Sequence, residues 1–267
     1  SEAELVKITT AGDRGVAVQD KSRWVSELER AVLDGRIDLA VHSAKDVPAE
    51  LADGLELVAI PERADPRDAL CGAPSLAALR AGARVGTSSV RRAAQIRAAR
   101  QDLEVMSVRG NVDTRLRKLD QSQCDALVLA FAGLQRLGRV DAVGGLLSEF
   151  VPAPGQGALV LEARPGALPA STLEPLIDAE ATACVRAERE LVHALGASCY
   201  TPVGAHGRSL GDGRVELNAW VGLPDGSAWV SDRLRGRPES LGRELAERLL
   251  AAGAGELLRQ VAARAAG

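Results

Sequence analysis

Residues 84–118 read RVGTSSVRRAAQIRAARQDLEVMSVRGNVDTRLRK, and the order of residue types in this stretch decides the fold. Arg84-Val85-Gly86 ends a strand, and Thr87, Ser88 and Ser89 follow, hydroxyl residues of the kind that cap a helix start. The helix opens with Val90-Arg91-Arg92 and runs through Ile96. Leu103, Val105 and Val108 then mark a second strand, and Arg109-Gly110-Asn111 leads into a second helix carrying Arg115, Arg117 and Lys118. A third unit ends the strand from Asp125 to Ala130 and continues as FAGLQRLG, which offers Arg136. Elements alternate in this way to about residue 165, the pattern of α/β layers with largely parallel sheets.

The same stretch is electrically distinct. The chain of 267 residues has a net charge of −3, yet residues 84–118 hold nine Lys or Arg against three Asp or Glu. That local charge of +6 leaves −9 for the rest, so an anionic partner belongs here. Guanidinium forks grip carboxylate or phosphate at two points, and helix N-termini add free N–H groups and partial positive charge. The whole chain has only three Trp, two Phe and one Tyr, which argues against base stacking and hence against nucleic acid. A multiply anionic small molecule fits better; the plain alternative is a solvated helix face.

Length favours two or three domains, and 46% hydrophobic residues suffice for their cores. No apolar run is long enough for a membrane span and no charged-then-apolar leader opens the chain, so a cytoplasmic protein is expected. Cys71, Cys124, Cys184 and Cys199 are scattered without a CxxC pair, and with three histidines they give a zinc site little support. Trp24 to Leu33 reads as an amphipathic helix closed by Gly35. VPAPGQGALVLEA, residues 151–163, reads as a crossing between domains that runs into another strand. Beyond it come a helix from Asp178 to Leu195, a hairpin of Arg214–Val221 with Ser227–Leu234 across a PDG turn, and a helical tail from Pro238. The expected divisions are residues 1–62 with 157–175, residues 63–156, and a smaller α+β unit over 176–267.

Two further stretches carry chemistry. AVHSAKDVP, residues 40–48, presents His42, Ser43, Lys45 and Asp46 where an apolar strand ends, a place where sheet proteins put ligand groups. LGASCYTPVGA, residues 195–205, sets Cys199 in a loop among small residues, accessible to alkylation.

Together these segments resemble the porphobilinogen deaminase (hydroxymethylbilane synthase) family over nearly the whole chain. AVHSAKDVP matches an HSxKDxP turn, GTSSVRR a paired-arginine turn and VRGNVDTRL an RGNxxTRL segment, with LAFAGLQRLG, VPAPGQGAL and LGASCYTPVGA following in the family's order. The resemblance implies two α/β domains like those of type II periplasmic binding proteins, plus the α+β domain. It implies a transferase that condenses four porphobilinogen molecules on a dipyrromethane primer, held by a thioether to Cys199, with loss of ammonia. Asp46 would be the catalytic carboxylate, stabilising the cations that form on the pyrrole nitrogens. Arg91, Arg92, Arg109, Arg115 and Arg136 would hold acetate and propionate groups, helped by Ser43, Lys45, Lys21, Thr87, Ser88, Ser89, Gly110 and Asn111. Trp24 would stand in an active-site loop, although AVQDKSRWVSELE lacks the glycines of the family's GGKGLF-like pattern. His42 reads as structural.

By resemblance the protein is a monomer with no metal, and its product goes to uroporphyrinogen III synthase. The family opens with a strand and helix carrying an RIGTRxSxLAxxQ motif, so VKITTAGD is expected to be the second strand, with roughly 35 to 60 residues upstream. A different class remains open, a non-catalytic anion or tetrapyrrole binder built on the same layers.

Overall fold

The computed structural model describes residues 4–8, 22–197 and 201–266, with the backbone alone at 22–24 and 265–266. Helix α1 (Ser22–Leu33) precedes β1 (Ala40–Ser43), β2 (Glu56–Ala59), β3 (Asp68–Cys71) and β4 (Arg84–Gly86). Then α2 (Val90–Ala99), β5 (Glu104–Met106), α3 (Val112–Asp120), β6 (Ala126–Ala130), α4 (Phe131–Arg136) and β7 (Val143–Leu147) follow. The chain continues through β8 (Leu159–Ala163), α5 (Ala170–Leu173) and α6 (Ala179–Ala194). It ends in β9 (Val203–Ser209), β10 (Val215–Gly222), β11 (Trp229–Gly236), α7 (Pro238–Ala251) and α8 (Ala254–Ala266).

These strands form three sheets, ordered β1-β8-β2, β5-β4-β6-β3-β7 and β11-β10-β9. The expectation of largely parallel sheets is corrected. Only β4 pairs in parallel, with β5 and β6, while β3 runs antiparallel to both β6 and β7. In the first sheet β8 runs antiparallel to β1 and to β2. The cause is topological: β3 and β8 are the strands by which the chain enters one sheet from the other, so they oppose the strands built by local strand–helix units. The expected strand VKITTAGD is also absent where it can be seen. Residues 4–8 carry no strand and Leu5 is 99% exposed; the remainder lies outside the described residues.

The five-stranded sheet is covered on both faces, which is why β6 is buried along most of its length. Leu70, Val85, Ala126 and Val128 face Ile96 of α2, while Ala69, Cys71, Leu127 and Leu129 face Leu116 of α3 and Leu134 of α4. The alternation of neighbouring residues between two cores follows from the strand period of two. In the third unit α6 and α7 bury Leu191, Leu241, Leu245 and Leu249 against Ala205, Leu217 and Ala219. Helix α6 also packs Ala181 and Val185 on Val160 of the first sheet, so one helix serves two units.

Two connecting segments, residues 60–67 and 148–158, pass between the first and second sheets, and they touch where Ala64 N–H donates to Gly157 O at 3.2 Å. Gly157 has φ +89°, and a Cβ there would lie 2.4 Å from Ala64 O, so only glycine lets the two crossings approach.

Candidate active site

The turn bearing Asp46 is built by its neighbours. Strand β1 runs into a single 3-10 turn, Ala44–Asp46, closed by Val47 N–H donating to Ala44 O at 3.3 Å. Pro48 has no N–H and stops it there. Ala44 N–H donates to Ala158 O at 3.0 Å, and Gly155 packs so close that a Cβ would meet Ala44 Cβ at 2.7 Å. Ser43, Lys45 and Asp46 are left half-buried. His42 is buried with Nε2 3.0 Å from Glu162 Oε2, so it braces the sheet beneath the turn.

The basic stretch faces this turn from the second sheet. Ser89 is the N-cap of α2, its Oγ accepting from Arg92 N–H, and Thr87 Oγ1 accepts from Ser89 N–H at 3.1 Å. Ser88 is exposed. Arg91 and Arg92 are buried, 3% and 6% exposed, with Asp68 between them. Arg91 Nη1 and Arg92 Nε each donate to Asp68 at 2.8 Å; Arg91 also reaches Val151 O, and Arg92 reaches Val128 O. Gln156 completes the network by donating to Pro66 O and Asp68 and accepting from both arginines. Burial alone would raise the pKa of Asp68, but Arg91 and then Arg92 outweigh it and hold the carboxyl well below the usual range. Burial works against the charge of Arg92, with Asp68 and Asp46 among the groups that restore it.

Arg115 is half-buried and donates to Gly110 O at 2.7 Å. Burial lowers its pKa, Arg92 lowers it further and Asp46 acts the other way, which puts Asp46, Arg92 and Arg115 in one electrostatic field. Asn111 caps α3, its Oδ1 accepting from Thr114 N–H at 2.8 Å, after Gly110 at φ +122°. Arg109 is exposed, and Arg136, also exposed, donates to Gly157 O at 2.8 Å on the crossing segment. Lys21 and Cys199 lie outside the described residues, as does the side chain of Trp24, whose backbone is in α1.

Asp68 and Gln156 are functional candidates that sequence reasoning missed. The one local signal is a polar residue in an apolar or glycine setting: Asp68 opens a wholly buried strand, and Gln156 stands between two glycines.

The other cysteines are poor nucleophiles. Burial pushes the thiols of Cys71 and Cys184 up to about 11 and raises that of Cys124, and all three are free. Among the described residues no group of three or more His, Cys, Asp or Glu could hold a metal ion, and no helix is long and apolar enough to cross a membrane.

The donor set also fits a ligand rich in carboxylates. Arg92 feels both carboxylates, Asp68 beside it and Asp46, Arg91 is paired with Asp68, Arg115 feels Asp46, and Arg91 Nε is buried with no partner. A family profile for porphobilinogen deaminase, dipyromethane cofactor binding domain, matches residues 1–169, and one for the porphobilinogen deaminase C-terminal domain matches residues 182–251. The chain belongs to the porphobilinogen deaminase family. Relatives named porphobilinogen deaminase include one from Thiobacillus denitrificans, 48% identical over 96% of this chain and 88% of the relative. Others come from Trichlorobacter lovleyi, 46% identical over 97% of this chain and 87% of the relative, and Roseiflexus castenholzii, 47% identical over 94% and 87%. A periplasmic solute-binding protein from Desulfovibrio salexigens matches with a TM-score of 0.36 and 12% identity over 55% of each chain, a likeness too slight to carry weight.

A porphobilinogen deaminase is a transferase of porphyrin biosynthesis, and it condenses porphobilinogen into hydroxymethylbilane on a dipyrromethane cofactor. The non-catalytic binder is accordingly not favoured.

Proposed function

We propose that Asp46 is the catalytic carboxylate of this porphobilinogen deaminase, and that the observation carrying it is the shared field of Asp46 with Arg92 and Arg115 from a different sheet. The bound dipyrromethane supplies the pyrrole carbon at which the substrate couples. Asp46 does the rest of the charge work. Loss of ammonia from porphobilinogen leaves a cation on the substrate's ring nitrogen, and a carboxylate fixed against it stabilises that charge and can carry a proton between steps. The short turn and the close packing of Gly155 keep the carboxylate where the charge develops.

Arg109, Arg115 and Arg136, the exposed and half-buried guanidiniums, take the acetate and propionate groups. Arg91 and Arg92, committed to Asp68, hold the wall behind them and offer one spare donor, Arg91 Nε. Thr87, Ser88, Ser89, Gly110 and Asn111 shape the two helix-capping turns between these arginines, and Ser43 and Lys45 flank Asp46. Trp24, expected in an active-site loop, stands instead in the first turn of α1, and the role of Lys21 rests on the family resemblance alone. Cys199 carries the primer, a reading supported by the buried, high-pKa state of the other three cysteines. We place the enzyme in the cytoplasm as a monomer that passes its product to uroporphyrinogen III synthase.

Replacing Asp46 with Asn keeps size and hydrogen bonding but removes the charge. Ammonia release in Asp46→Asn should fall by about two orders of magnitude or more with folding intact. Near wild-type release would move the role elsewhere.

A further inference from the structure

Residues 47–49 follow Asp46 directly and belong to no strand, so their carbonyls have no ladder partners. One side chain collects all three. Arg189 of α6 donates from Nη1 to Val47 O at 3.3 Å and from Nη2 to Pro48 O at 2.7 Å and Ala49 O at 2.9 Å. Its guanidinium is spent on the backbone beside the site. Its sequence neighbour grips the other flank. Glu188, fully buried, accepts from Gly155 N–H at 2.6 Å, and Gly155 is the residue that packs on Ala44 and Lys45. Successive helical residues diverge by about 100°, so one turn of α6 reaches both sides of the turn that bears Asp46.

The geometry points to Arg189 as a positioning residue for Asp46, fixing from the third unit the backbone that leaves the catalytic turn. The inference rests on the catalytic reading of Asp46. An ammonium cannot replace the guanidinium fully, because its donors radiate from one point whereas the fork spans carbonyls at two ends. A misplacement of about 1 Å at a reacting group can cost about 10²-fold in rate, so loosening this clip should be felt in turnover.

The test compares Arg189→Met and Arg189→Lys with wild type, each normalised to primer-loaded protein by intact mass. In Arg189→Met kcat should fall about tenfold or more while KM changes by less than about threefold, and Arg189→Lys should recover part of the loss. In an Asp46→Asn background Arg189→Met should cost nothing further, since it acts through Asp46. Wild-type kcat in loaded Arg189→Met, or an equal loss in both backgrounds, overturns the inference even when Asp46→Asn is inactive. Should Arg189→Met fail to fold, wild-type kcat in Arg189→Lys overturns it. Near wild-type turnover in Asp46→Asn alone removes the reading beneath the inference.

Discussion

A carboxyl group sealed from water ordinarily takes up a proton, yet Asp68, 1% exposed, stays ionised because Arg91 and Arg92 flank it. Its removal should be costly for the same reason. Asp68→Asn keeps the shape but leaves two buried guanidiniums without a counter-charge, and the expected loss is about 3–5 kcal/mol in a urea titration. The pH dependence has a definite sign. The folded pKa of Asp68 is depressed, so its contribution is present above the unfolded value of about 3.9 and is lost as pH falls below it. Wild type should therefore shed stability more steeply below about pH 4 than Asp68→Asn does. Parallel acid profiles for the two proteins would show that Asp68 is not ionised in the fold. None of this was legible from PRDALC, because Asp68 meets its arginines 23 and 24 positions away, across a sheet order that local pattern does not reveal.

Helix α3 shows what one element decides. Arg115 and Arg117 lie two residues apart, about 200° around the helix, and the first is half-buried in the field of Asp46 while the second is exposed. On the proposed role of Arg115 as a partner of a substrate carboxylate, Arg115→Leu removes an interaction worth about 1.5–3 kcal/mol, so the specificity constant should drop by about tenfold or more. Arg117→Leu should stay within about twofold, as an exposed charge is screened by water and salt. Steady-state kinetics with gel separation of enzyme–substrate intermediates distinguishes them, and equal damage would mean that the basic stretch acts only through bulk charge. At this scale the sequence was informative: the cap at Ser89 stands among the hydroxyl residues expected to cap that helix, and α3 starts directly after Arg109-Gly110-Asn111 as expected. Strand direction was not, since β3 and β8 owe theirs to the crossings rather than to their own residues.

Across the whole molecule, a polar chain links α6 of the third unit to the second sheet through the two crossing segments. Glu188 on α6 takes both Arg63 donors, Arg63 Nε donates to Gln156 O at 2.9 Å, and Gln156 reaches Asp68, Arg91 and Arg92. The partners lie far apart in sequence, so the motifs named the site without showing the joints that hold it together. The turn that bears Asp46 was legible because it is short and local; the contacts of Asp68, Gln156, Glu188 and Arg189 were not. The polar chain ends on α6, the helix that also carries Arg189.

Attachment of the primer at Cys199 is the central proposal, and intact-mass spectrometry of protein made in a porphobilinogen-producing cell measures it. The account predicts an adduct of two pyrrole units that is absent in Cys199→Ser and retained when Cys71, Cys124 or Cys184 is replaced by serine. An active wild-type protein without the adduct, or an adduct that survives Cys199→Ser, would contradict it.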